Sequence, residues 1–239
     1  MADLGAAALA IGAGADPTLD AQVWLDELDR LAAGVADLDG LVRRLYGERG
    51  FAGNTDDYYD PDNSFLHRVL ARRKGIPISL AVVLIEVGRR AGVRLEGVGM
   101  PGHFLVRDPA SGVVLDPFDG GRALDRAALE ARFRAATGAD GTVPFGAHLL
   151  PGVSAHGILT RMLANLTGIY RARGAGRDLE WVLRMRLALP VTDESTVLQL
   201  GEVLATHGRH REGAQEIEAR AQGDERLLAA ARALRARLN

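Results

Sequence analysis

Residues 63–121 read NSFLHRVLARRKGIPISLAVVLIEVGRRAGVRLEGVGMPGHFLVRDPASGVVLDPFDGG. Arg72, Arg73, Lys74 and Gly75 close one short helix, and Ile76-Pro77-Ile78-Ser79 opens another. Proline suits a first helical turn, where its missing N–H would have no partner. Gly92 follows Arg89-Arg90-Ala91 as a stop signal. Leu80, Val83, Leu84, Val87 and Ala91 recur at helical spacing, and Ala81, Val82 and Ile85 make the remaining faces apolar. Such a helix, from about Ile78 to Arg90, is predicted to be buried.

Three extended runs follow: Val93–Met100, His103–Asp108 and Val113–Asp116. Asp108-Pro109-Ala110-Ser111-Gly112 is turn chemistry, so the last two runs are expected to pair as a hairpin. A four-residue loop, Asp108 to Ser111, puts Arg107 opposite Gly112 and His103 opposite Asp116. Cross-strand Cβ atoms lie about 4.5–5.5 Å apart, within reach of an imidazole–carboxylate hydrogen bond. The face carrying His103 is expected to pack on the buried helix, bringing Ser79, His103 and Asp116 together with the imidazole between the other two. The fold class is therefore α+β: a buried helix on a small antiparallel sheet, followed by an all-α tail.

The order of a helix N-terminus, a strand His and an adjacent-strand Asp resembles the core of the transglutaminase-like, papain-like superfamily. The blocks YYDPDNSFLHRVLARRKGIPISL, GVGMPGHFLVR and LDPFDGG resemble its bacterial SirB-type branch, from about Phe51 onward. The resemblance implies a transglutaminase-like core joined to tetratricopeptide repeats. It places Ser79 at the nucleophilic cysteine, and His103 and Asp116 at the catalytic His and Asp. The chain has no cysteine. A hydroxyl titrates far above a thiol and needs its base during attack. A Ser-His-Asp arrangement permits that chemistry, but an oxyanion hole is also required, and only the Ser79 N–H offers itself. The residues point to a non-catalytic protein- or peptide-binding scaffold, with a Ser79-His103-Asp116 hydrolase or acyltransferase as the alternative.

The remaining sequence sets the surroundings. Its 239 residues are 47% hydrophobic with a net charge of −2, so no global field invites nucleic acid or an anionic membrane. No cofactor or metal is expected: fingerprints for phosphate, dinucleotide and zinc are absent, and the acids of residues 50–62 lack calcium-loop spacing. Those acids read as caps and turns, with Tyr58 and Tyr59 pinning the loop to the core. His207 and His210 read as exposed helix-turn residues, and Arg72, Arg73 and Lys74 as serving a helix C-terminus rather than a phosphate. No apolar run reaches membrane-spanning length, and no basic residue precedes Arg30, which argues against a leader. A cytoplasmic location is expected.

Three regions are expected: N-terminal helices over 1–50, the core over 51–140 and helical repeats over 152–239. At the N-terminus, a weak helix over residues 3–12 is ended by Gly12 and Gly14, a second runs from about Leu19 to Ala36, and a short one from Leu38 to Gly47. Gly138 to Pro151 is the linker. Beyond it, Asn165 and Gln199, Tyr170 and Leu204, Gly174 and Gly208, and Leu183 and Ile217 stand 34 residues apart, the period of tetratricopeptide helix pairs. Such arrays need about three units to stand alone, so this tail is expected to depend on the core.

Overall fold

The computed structural model describes residues 3–140, 142–190 and 193–237. The chain divides into two compact units, Met1–Met162 and Leu163–Asn239.

In the first unit, helices α1 (Leu4–Ala15), α2 (Ala21–Ala32) and α3 (Leu38–Val42) precede α4 (Leu66–Arg72) and α5 (Pro77–Arg90). The α1 helix runs past the expected stops at Gly12 and Gly14. Asp3 caps it by accepting from the Ala6 N–H, and Leu4, Ala8, Leu9 and Ile11 are buried. Gly12 serves packing instead: a Cβ there would lie 2.5 Å from Nδ1 of His67. The short helix expected to Gly47 changes character at Arg43, where Arg43–Glu48 forms a π-helical turn with Arg49 N–H donating to Arg44 C=O.

Helix α5 is buried at every position from Pro77 to Leu84, as its all-round apolar sequence requires. Its one buried acid, Glu86, is neutralised by Arg89 and Arg90.

Two parallel strands, β1 (Ala52–Gly53) and β2 (Lys74–Gly75), join the segment before α4 to the segment before α5. The main sheet contains β3 (Glu96–Val98), β4 (Leu105–Arg107), β5 (Val114–Asp116), β6 (Arg122–Leu124) and β7 (Gly152–Val153), in the order β6-β5-β4-β3-β7. All pairs are antiparallel. The hairpin register departs from the expected one: Arg107 faces Val114, and Val106 faces Leu115. Asp108 N–H donates to Val113 C=O, and Gly112 N–H to Asp108 C=O, so the connection is two residues longer than the assumed four. The shift by two preserves which residues share a face.

Val98 lies opposite Leu105, and Arg107 opposite Val114, so these residues share one face with Asp116. That face is packed by Leu129 and Phe133 of α6 (Arg126–Thr137) and by Phe145. The expected partner for this face was α5. Amphipathic α6 provides the cover instead.

Strand β7 carries the first unit beyond the expected linker. Ile158 and Arg161, in the first turns of α7 (Ala155–Ala172), lie against Gly97 and Gly99 of the sheet region. Arg161 also stacks over Phe104 at 5.2 Å.

The second unit holds the remainder of α7, then α8 (Gly176–Leu187), α9 (Glu194–Thr206), α10 (His210–Ala221) and α11 (Glu225–Ala236). Its core includes Val197, Ala214, Ile217, Leu227, Ala231 and Leu234. The 34-residue spacing falls at matching places. Gly174 and Gly208 both take positive φ, at 63° and 76°, just past α7 and α9. Leu183 and Ile217 are both buried in the helix that follows. Helices α9 and α10 cross closely, since a Cβ on Gly213 would come within 2.7 Å of Gly201 C=O.

Candidate functional site

Ser79 stands in the first turn of α5 and is fully buried. Its Oγ donates to Asn63 C=O at 2.5 Å, has Ile76 C=O at 3.1 Å and accepts from the Ile76 N–H at 3.1 Å. Gly75 makes room: a Cβ there would lie 2.7 Å from Oγ. The hydroxyl's single proton is therefore committed to the backbone.

Asn63, which receives that proton, is also fully buried. Its Nδ2 donates to Asp57 C=O at 2.7 Å and has Tyr58 C=O at 3.2 Å. Its Oδ1 accepts from Asn54 Nδ2 at 2.9 Å and from Arg72 at 3.2 Å. Two buried carboxamides thus hold the loop that runs from Asn54 to Asn63. Buried polar groups persist where they are fully paired; here the pairing fixes both the loop and Ser79.

His103 and Asp116 form the second part. Nε2 of His103 lies 3.0 and 3.1 Å from the two carboxylate oxygens of Asp116. His103 precedes β4 and sits two residues off direct opposition in the observed register, within diagonal cross-strand reach. Asp116 is fully buried and also meets Arg132 at 2.9 Å and the Phe118 N–H at 3.0 Å. Burial works to raise the Asp116 carboxyl. The His103 hydrogen bond and charge, Arg132 and the Phe118 N–H outweigh it, so the group is held below the ordinary carboxylate range.

Among the described residues, no hydrogen bond joins Ser79 to His103, and His103 Nδ1 has no hydrogen-bond partner. Contacts between the two parts run through glycines and one ring. Gly53 pairs with Gly75, Phe118 lies 2.6 Å from where a Gly53 Cβ would stand, and Phe118 meets His103 edge-on at 6.4 Å.

Tyr46 escaped the sequence reading. It sits in the π-helical turn, 2.5 Å from where a Cβ on Gly121 would stand. Burial, and then the Asp116 charge, push its phenol well above the usual tyrosine range. Nothing in the sequence marks a π-turn, although such turns often occur at functional sites.

Of the two loop tyrosines, Tyr58 packs on Phe118 at 5.9 Å, and Tyr59, which meets Tyr58 at 5.3 Å, is 70% exposed. The nearby cations are matched to acids: Arg72 with Asp60 and Asp62, Arg73 with Glu27, and Lys74 with Asp56.

A UPF0162 protein of Xylella fastidiosa (strain 9a5c) is 44% identical over 149 residues, which is 60% of this chain and 52% of that protein. A UPF0162 protein of Vibrio cholerae is 40% identical over 88 residues, covering 36% of this chain and 33% of the other. F-box only protein 21 of Mus musculus is 46% identical over 84 residues, 34% of this chain and 13% of that protein. The chain thus spans about half the length (52%) of the Xylella relatives it matches. No solved structure is significantly similar. A family model described as the transglutaminase-like superfamily matches residues 18–164. With more than half its length under that match, the chain belongs to the transglutaminase-like superfamily.

Proposed function

We propose that this is a non-catalytic, SirB-type protein- or peptide-binding scaffold: a transglutaminase-like core with Ser79 at the nucleophile position, followed by tetratricopeptide-like helical repeats. One observation carries the reading. The Ser79 hydroxyl is fully buried and donates to Asn63 C=O at 2.5 Å. A nucleophilic hydroxyl needs a base within hydrogen-bond reach to take its proton. Here a backbone carbonyl, which cannot take a proton, holds that position, and no cysteine stands anywhere in the chain to supply a thiolate.

Two further features support a module that holds a partner rather than one that turns over a substrate. The second unit's matched helix pairs repeat the spacing of a known partner-binding array. An 84-residue stretch of the chain also recurs as a small fraction, 13%, of a longer mammalian protein. The partner would be protein or peptide, not nucleic acid or membrane, and a cytoplasmic location accords with this. No described helix is long and apolar enough to cross a membrane.

The second reading is a serine hydrolase or acyltransferase acting through Ser79, His103 and Asp116. The ordered His103–Asp116 pair favours it, since a carboxylate on one ring nitrogen orients an imidazole as a base. Fluorophosphonate labelling separates the two. The binding reading expects the intact chain to label no more than Ser79→Ala, while both capture the same proteins in a pull-down. Labelling that is lost in Ser79→Ala and in His103→Ala, both still folded, would establish the hydrolase.

A further inference from the structure

His67 of α4 is buried, at 4% exposure, and neither of its ring nitrogens has a hydrogen-bond partner among the described residues. Buried polar groups are ordinarily paired. A neutral imidazole leaves one donor unmatched in this place, and a charged one would leave two. The Ser79 and His103–Asp116 site makes no use of it.

The ring sits where α1, α2 and α4 meet. Its centroid lies 6.1 Å from that of Trp24 on α2 and 6.0 Å from that of Phe65, just before α4. Helix α1 rests directly on it: a Cβ on Gly12 would come within 2.5 Å of Nδ1 and 2.8 Å of Cε1. The glycine lets the α1 backbone touch the imidazole, and the contact leaves no room for a solvation shell. The other buried residues of α1, Leu4, Gly5, Ala8, Leu9 and Ile11, offer no side-chain acceptor.

The charged groups that act on the ring are Asp16, at the end of α1, Asp62, before α4, and Arg68, its neighbour on α4. The two acids favour a charged ring and the arginine opposes it; α2 presents only the Trp24 ring. Both acids are already engaged. Asp16 accepts from the Thr18 hydroxyl at 2.6 Å and the Thr18 N–H at 3.1 Å, and lies 3.9 Å from Arg68. Asp62 pairs with Arg72 at 3.1 Å. Burial therefore prevails and holds the imidazole below its ordinary range.

We infer that His67 is an acid-sensitive latch: protonation of its ring releases helix α1 from α2 and α4 while the main sheet stays folded. Helix α1 packs on α2, α4 and α5, whereas the sheet face that carries Asp116 is packed by α6 and Phe145. The helix can thus leave without unpacking that face. A histidine whose folded pKa is lowered keeps its contact intact above its ordinary value of about 6.5 and weakens it as pH falls below that. Release uncovers the apolar side of α1 and the part of α5 beneath it. The inference stands apart from the binding reading and from any role of Ser79.

The test is hydrogen–deuterium exchange of the full chain at about pH 7.5 and about pH 5.5, each rate being divided by the intrinsic amide rate at that pH. Protection of α1 is expected to fall about five- to tenfold on acidification. About tenfold is the most that one imidazole of ordinary pKa in the released state supplies over that interval. Strands β4 and β5 should keep their protection. In His67→Gln and His67→Phe, neither of which titrates, the fall in α1 should vanish. Protection of α1 that does not change with pH in the intact chain would overturn the latch, as would an equal fall in both variants. A parallel fall in β4 and β5 would also overturn it, because the whole unit rather than α1 would then be opening. An NMR titration of the His67 ring in the intact chain needs no variant: an apparent pKa at or above about 6.5 overturns the latch even where both variants fail to fold.

Discussion

Ser79 and the His103–Asp116 pair are both buried polar groups of the first unit, and the fold treats them in opposite ways. Ser79 is satisfied entirely by backbone groups: one carbonyl from the segment before α4, and the carbonyl and N–H of Ile76. Asp116 is satisfied mainly by side chains, the His103 imidazole and the Arg132 guanidinium. The serine behaves as a structural fastener, whereas the pair keeps an imidazole oriented beside a carboxylate held ionised. Substitutions at the two parts should differ in size and in pH dependence.

The largest effect is expected at Asp116. Asp116→Ala leaves Arg132 and His103 facing an empty site and removes an acceptor from the Phe118 N–H. Breaking a buried pair on one side costs about 3–5 kcal/mol, measurable by urea denaturation. A loss below about 1 kcal/mol would show that water replaces the carboxylate and that the pair is a surface feature.

Ser79→Ala should cost less, about 1–3 kcal/mol, because it strands buried backbone groups at Asn63 and Ile76 rather than a charge. Thermal denaturation of the variant checks this. A serine kept for chemistry alone would be replaced without loss, so an unchanged or raised melting temperature would reverse the comparison.

The smallest effect concerns pH. The Asp116 carboxyl titrates below its ordinary value of 3.8 in the folded chain. A depressed acid stabilises the fold above its unfolded pKa and loses that contribution as pH falls through the folded value. The stability gap between the intact chain and Asp116→Asn should therefore be constant at neutral pH and narrow below about pH 4. The gap between the intact chain and Ser79→Ala should not change over that range, since no titrating group is removed. A Ser79→Ala gap that narrows in parallel would mean the two parts are coupled.

Helix α5 was legible because three independent signals agree: Pro77 at its start, Gly92 after its end and apolar residues on every side. The His103–Asp116 hydrogen bond followed from a register wrong by two residues. A strand alternates with period two, so an error of two keeps a side chain on its face; an error of one would have lost the pair. Face cover was harder to read. Leu129 and Phe133 are the only two large apolar side chains in α6, among alanines and charged residues, yet they pack the sheet face that carries Asp116. Strand β7 left no pattern, since Gly152 and Val153 are too few to show alternation. Tyr46 and Asn63 were invisible for a different reason. A π-turn and a buried carboxamide are set by tertiary partners distant in sequence, not by local propensity.

The turn after β5 ties backbone to charge. Asp116 Oδ1 accepts from the Phe118 N–H and lies 3.3 Å from the Asp119 N–H, while Asp116 C=O accepts from Gly121 at 2.9 Å. The amide proton of Phe118 is therefore shielded by the same oxygen that holds His103. Its exchange with deuterated solvent requires that oxygen to let go, so one amide in the chain becomes a clock for how often this turn opens at Asp116.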